Sequence, residues 1–247
     1  MNDAFLKSTF GLDGRTALVT GSARGIGRSI ALALGQAGAR VVINDLDAQR
    51  CHETADAFRA AGITADIAAF DVSDRDAVLR ARDALDQRGW SIDILVSNAG
   101  NQNRKPLAEA TDEDWQSILN VHLGGALHGI QAFVPGMVAR GFGRVVLTAS
   151  VSAVATMPGI APYSTAKAAL AALARAVAVE HGGHGVTANA IAPGFVRTEF
   201  TTGLQQRDGF EQYLTDNVPA GRWATPEDIA PAVLYLASPG ASFVNGH

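Results

Sequence analysis

Cysteine is nearly absent from these 247 residues: Cys51 stands alone, so neither a disulfide framework nor a thiolate metal cluster can be built. That scarcity suits a reducing compartment, and a cytoplasmic protein is expected. Charged residues make up only 18% of the chain and the net charge is −4, which leaves no basic excess for a nucleic-acid or anionic-membrane surface. No apolar run approaches the ~20 residues of a membrane span, and the opening MNDAFLKSTFGLDGR has no signal-peptide core. Repeats, low-complexity tracts and Pro/Ser-rich linkers are missing too, so 1–247 reads as a single domain.

What the chain does have is a high apolar content, 47%, arranged in short runs that alternate with amphipathic stretches from Thr16 onward. That order predicts an α/β fold, a doubly wound parallel sheet of Rossmann type with helical crossovers. Strands are expected at Thr16 to Thr20, Arg40 to Asn44, Ala65 to Phe70, Ile92 to Val96, Gly143 to Thr148 and Val186 to Ile191. Helices should begin near Gly25, Asp47, Asp74, Thr111 and Pro162, with a late one from Thr225 to Ala237. Thr225 as N-cap, Pro226 behind it and two acids in the first turn give that last helix the clearest start.

The chemistry centres on SVSAVATMPGIAPYSTAK, Ser150 to Lys167. On a helix, Tyr163 and Lys167 at i and i+4 share one face, and Ser150 closes the strand before it. A phenol must lose about 3 pKa units, roughly 4 kcal/mol, to act as a base near neutrality. An ammonium at ~4 Å supplies about that much at an effective dielectric of ~20. Ser150 would hold a substrate oxygen against Tyr163, so the set suits reversible proton exchange with an alcohol or ketone during hydride transfer. Read in isolation, such a pair is more simply an interfacial tyrosine and a solvated lysine; its neighbours decide the matter.

Upstream, the first strand runs into TGSARGIG, whose Gly21, Gly25 and Gly27 would turn the backbone tightly beneath a pyrophosphate at a helix N-terminus. Asp45 ends the second strand about twenty residues later, where a carboxylate accepts from ribose hydroxyls and repels a 2′-phosphate. NAD is therefore the expected cofactor, with NADP possible through Arg24.

Together these motifs resemble a classical short-chain dehydrogenase/reductase along almost the whole chain. The resemblance implies that Gly21, Ser22, Arg24, Gly25, Ile26 and Gly27 form the cofactor turn and that Asp71 and Val72 flank the adenine. It further implies that Asn98, Ala99 and Gly100 of SNAG follow the fourth strand, and that Asn120 relays protons to Lys167 through its carbonyl. Ser150, Tyr163 and Lys167 match the catalytic serine, tyrosine and lysine, Lys167 also meeting the nicotinamide ribose; Pro193, Gly194, Val196 and Thr198 would lie at the nicotinamide. By the same resemblance a homotetramer or homodimer is implied, and the chain stops at SFVNGH where a final strand would follow.

The polar segment 197–220, broken by Gly203 and Gly209, is expected to be a substrate lid. NAGNQNRKPL, with INDLD and FVNGH, is similar to the gluconate 5-dehydrogenase branch. There Arg104 and Lys105 would meet a sugar-acid carboxylate while Asn101, Gln102 and Asn103 address hydroxyls, or the stretch is simply a surface loop at a subunit boundary. A small-molecule sugar acid or polyol is thus the expected substrate. A 3-oxoacyl-thioester reductase, with Arg197 and Arg207 as a docking patch, is the alternative, and a non-catalytic dinucleotide sensor or scaffold a third. His181 and His184 lack companions for a metal, Cys51 and His52 lack an activating group, and His122 and His128 read as core or interface residues.

Overall fold

In the computed structural model, which describes residues 3–247, six strands form one parallel sheet in the order β3-β2-β1-β4-β5-β6. They are β1 (Thr16–Val19), β2 (Arg40–Ile43), β3 (Ala65–Ile67), β4 (Ile94–Ser97), β5 (Gly143–Thr148) and β6 (Val186–Ile191). Strand order reverses between β1 and β4, which leaves a crevice at their carboxyl ends. The doubly wound expectation holds.

Successive side chains of a strand face opposite ways, and the sequence loads both faces. Leu18, Val42, Leu95, Val145 and Leu147 pack against α4 (Arg75–Gln87), α6 (Gly125–Arg140) and α7 (Ala161–His181). Ala17, Val19, Val41, Ile43, Ile94, Val96 and Val146 pack against α2 (Gly25–Gln36), α3 (Ala48–Ala60) and α10 (Pro226–Ala237). A short α1 (Asp3–Phe10) precedes the first strand.

Helix starts follow the capping residues. Asp47 caps α3 and Asp74 caps α4, while Thr111 with Asp114 and Thr225 with Asp228 close capping boxes on α5 (Asp112–Leu119) and α10. α5 continues through a π turn, Asn120–Gly124, into α6. No described helix is long and apolar enough to cross a membrane.

Three expectations shift. β3 ends at Ile67 rather than Phe70, because Asn44 Nδ2 captures the carbonyls of Ala68 and Phe70 and turns the edge strand into the crevice. β4 begins at Ile94 rather than Ile92, because the Asp93 carboxylate is engaged by Thr16 N and Arg140 Nε. The 197–220 stretch is not irregular: it forms a short 3-10 turn (Glu199–Thr201), α8 (Thr202–Gln205) and α9 (Phe210–Asn217). Buried Leu204, Phe210 and Leu214 form a small separate core with Trp223, just beyond the stretch. Beyond β6, Gly246 N donates to Ala188 O at 2.8 Å and Ala190 N to His247 O at 2.7 Å, so the residues at SFVNGH lie alongside that strand.

Candidate active site

The crevice opens into a cavity of about 600 Å³, within the range of small-molecule and cofactor sites. Its floor is the turn after β1. Gly21 has φ +63°, and a Cβ there would sit 2.9 Å from Ala99 Cα; a Cβ on Gly27 would meet Gly21 O at 2.3 Å and Asn98 Nδ2 at 2.6 Å. Only glycine fits either place. α2 starts in this floor with no side-chain cap, so its first N–H groups are available to an anion. Such a cradle fits the pyrophosphate of a dinucleotide.

Side-chain hydrogen bonds stitch β1 to β4 across the switch point. Asn98 Nδ2 donates to the carbonyls of Thr20 (3.0 Å) and Gly21 (3.2 Å), while Asn98 N and Ala99 N both donate to Thr20 Oγ1. Ser22, expected to touch cofactor, is fully buried and instead ties β1 to β2: its hydroxyl donates to Val19 O and accepts from Asn44 N.

Of the other expected cofactor residues, Arg24, Gly25, Ile26, Asp45, Val72, Gly100, Pro193, Gly194, Val196 and Thr198 all line the cavity. Asp71 does not. Its carboxylate turns outward and accepts from Ser73 N and Ser73 Oγ. Asp45 accepts from Leu46 N at 2.8 Å, and Arg24 is ion-paired with Glu199.

Ser150, Tyr163 and Lys167 meet in the same cavity. Lys167, only 4% exposed, donates from Nζ to Thr148 O at 2.5 Å, and Nζ lies 5.5 Å from the centroid of the Tyr163 ring. Burial lowers the lysine pKa to about 7. Tyr163 moves the other way: burial pushes its pKa above the ordinary value, outweighing the Ser150 hydroxyl and the Arg104 guanidinium, which favour the phenolate. The expected lowering of the phenol by Lys167 is therefore not present in this arrangement, because the ammonium turns to a carbonyl and desolvation dominates both groups.

Asn120 stands outside the residues that line the cavity: its side chain is exposed and accepts from Gln116 Nε2, while its carbonyl, the group expected to relay protons, accepts from Gly125 N across the π turn and keeps a second lone pair. The widened turn aims Val121 and His122 inward instead. Arg104 borders the cavity and acts on Tyr163. Lys105 and Asn103, expected beside it, both donate to Asp114 in the first turn of α5. Gln102 lines the cavity and donates to Phe200 O at 2.6 Å.

Sequence reading missed His122, Asn44 and the apolar wall of Met157, Ile160, Phe195, Phe200 and Leu204. The wall had no periodic signature, and the partners of His122 lie about twenty positions upstream. Among the described residues, no group of three or more His, Cys, Asp or Glu side chains gathers as metal ligands.

Comparison with known proteins follows this geometry. Residues 21–247 match the family described as enoyl-(acyl carrier protein) reductase. The chain is 39% identical over 237 residues to a gluconate 5-dehydrogenase of Gluconobacter oxydans strain 621H, covering 96% of this chain and 93% of that one. It is 32% identical over 235 residues to a 3-oxoacyl acyl-carrier-protein reductase of Thermotoga maritima, covering 95% of both. A solved gluconate 5-dehydrogenase of Burkholderia cenocepacia J2315, in complex with NADP and tartrate, superposes with a TM-score of 0.94 at 40% identity, covering 97% and 94%. With the glycine floor, the switch-point crevice and these relatives in agreement, the chain belongs to the short-chain dehydrogenase/reductase family, enzymes that move hydride between NAD(P)(H) and an alcohol or ketone.

Proposed function

We propose that this enzyme interconverts a secondary hydroxyl and a ketone on a small sugar acid, a gluconate-type substrate, in the cytoplasm. The observation that carries the substrate class is Arg104, a cation beside Tyr163 on the cavity wall, with no carboxylate partner among the described residues. A guanidinium so placed suits a substrate carboxylate. The gluconate 5-dehydrogenase relatives, one of them solved with tartrate, support the same class.

When bound, NAD(P) accepts or supplies the hydride. Gly21, Gly25, Ile26, Gly27 and the first turn of α2 would hold its pyrophosphate, with Asp45 and Arg24 toward the adenine ribose and Asn98, Pro193, Gly194, Val196 and Thr198 along the remaining walls. Tyr163 takes the substrate hydroxyl proton in oxidation and returns it in reduction. Ser150 donates to the substrate oxygen and favours the phenolate. Lys167, whose Nζ lies 5.5 Å from the centroid of the Tyr163 ring, would favour that phenolate while protonated if its ammonium turned from Thr148 O toward the phenolic oxygen. NADP is supported by the solved relative and by Arg24; the preference for NAD read from Asp45 has no support among the relatives described.

Residues 197–220 act as the lid: Arg24 on the turn after β1 and Gln102 on the loop after β4 tie it down, and its small core lets it move as a unit within one domain. The exposed apolar stripe of α7, Ala168, Ala172, Ala176 and Val179, supports a homo-oligomer formed through that helix. Thioester reduction has weaker support. Arg197 pairs with Glu211 and lies 5.5 Å from the Trp223 ring, so only Arg207 remains of the docking patch.

The deciding experiment follows nicotinamide absorbance with gluconate, 5-ketogluconate, neutral polyols and 3-oxoacyl thioesters, each with both cofactors. Turnover of sugar acids above the other classes is expected. A thioester preference would overturn the substrate assignment.

A further inference from the structure

We propose that Phe200 is a specificity-determining residue: its ring receives an unhydroxylated carbon next to the reacting one, so the preferred sugar acid lacks a hydroxyl at that position. This rests on the reading above, a sugar acid anchored by Arg104 and reacting at Tyr163, and narrows it.

Phe200 sits in the 3-10 turn Glu199–Thr201 that opens the lid. Its backbone is pinned from both sides. Gln102 Nε2 donates to Phe200 O at 2.6 Å, Arg24 is paired with the preceding Glu199, and the hydroxyl of the following Thr201 donates to Val196 O at 2.8 Å. The ring itself is bare by comparison. It is 37% exposed, lines the cavity, and stands outside the small core of Leu204, Phe210, Leu214 and Trp223. Among the described residues its one aromatic neighbour is Tyr163, 6.2 Å away between centroids and tilted by 40°. A large apolar ring on fixed backbone, left open beside the reacting phenol, completes its burial only when a ligand covers it.

The surroundings decide what that ligand surface is. With a substrate oxygen at the Tyr163 hydroxyl, a carbon bonded to the reacting one is brought against the Phe200 ring. A methylene or methyl there buries apolar area, whereas a hydroxyl gives up its water and finds no hydrogen-bond partner of equal strength on a benzene face. The amide donors expected to address hydroxyls are turned to the protein: Asn101 Nδ2 donates to Ser117 Oγ at 3.1 Å, Gln102 Nε2 to Phe200 O, and Asn103 Nδ2 to Asp114. The cavity thus pairs one cation, Arg104, with an apolar face beside the reacting centre.

The test compares reduction of 5-ketogluconate with that of its 4-deoxy and 6-deoxy analogues, which lack the hydroxyl on one or the other carbon beside the ketone. In the wild type one analogue should exceed the parent about tenfold in kcat/KM, chiefly through KM. In Phe200→Ala that advantage should shrink to within about twofold with cofactor Kd unchanged, and Phe200→Leu, which keeps an apolar surface, should retain most of it. The wild-type comparison stands whether or not either variant folds. A parent reduced as well as both analogues, or an advantage that Phe200→Ala leaves intact, would overturn the role of Phe200 while leaving the sugar-acid reading in place. Failure to reduce any of the three keto acids with either cofactor would sink that reading, and this assignment with it.

Discussion

Arg24, in the turn after β1, is ion-paired with Glu199 at the start of the segment after β6, so one salt bridge spans the mouth of the cavity. Both side chains are more than half exposed, which leaves the pair weak and exchangeable. A 2′-phosphate would compete with Glu199 for the guanidinium and would face Asp45. Glu199→Gln should lower KM for NADP severalfold and leave KM for NAD unchanged, and Asp45→Ala should raise kcat/KM with NADP about tenfold, worth ~1.4 kcal/mol. Initial rates with both cofactors check this, and an NADP value unmoved by either change would contradict it.

Lys167→Met keeps the volume of the buried stem and removes the charge. Oxidation should fall at least about a hundredfold, a few kcal/mol of barrier. Stability carries a second signature. The folded pKa of about 7 lies below the unfolded value of ~10.4, so between these limits the unfolded chain binds the proton that the folded chain has lost, and stability rises with pH across that window. Below pH 7 both states are protonated and the cost of burying the charge is felt in full. Urea midpoints of the wild type should therefore gain on those of Lys167→Met between pH 7 and 10; parallel curves would contradict the burial of a titrating lysine.

Arg104 and Lys105 are neighbours in sequence with different surroundings. Lys105 is spent on Asp114 at 2.7 Å, whereas Arg104 borders the cavity. Arg104→Ala should raise KM for a sugar acid by ten- to a hundredfold, about 1.4–2.7 kcal/mol, and leave a neutral polyol unaffected. Lys105→Ala should alter neither KM. Similar effects of the two substitutions would remove the carboxylate assignment.

Cys51 is fully buried on α3, and burial with neighbouring Asp45 pushes its thiol up to about 11. The native enzyme should react with a thiol-specific disulfide reagent only as fast as it opens, and at the free-thiol rate in denaturant. Rapid labelling under native conditions would mean that α3 is not seated as described.

The sheet was legible because each strand is a short apolar run and α3, α4, α5 and α10 each open on a capping side chain, both local properties. The lid helices were not, since Gly203 and Gly209 break their period and Phe210, Leu214 and Trp223 hold them by contacts that no window reveals. At the site, Ser150, Tyr163, Lys167 and the glycine turn declared themselves by spacing. The diversion of Asn103 and Lys105 to Asp114, and of the Asn120 side chain to Gln116, depended on which way each group faces. The opposed shifts of Tyr163 and Lys167 arise from burial, a quantity that exists only once the chain is folded.

The four hydrogen bonds that Asn98 and Ala99 donate to Thr20 and Gly21, between the ends of β1 and β4, brace the base of the crevice. The wall formed by 197–220, by contrast, hangs from a handful of exposed polar ties and a four-residue core. Reaction geometry sits on that braced base, whereas molecular taste is shared between Arg104 on the loop after β4 and the wall at 197–220. Rewriting the second would leave the first undisturbed, which is how one scaffold can diversify its diet without relearning its chemistry.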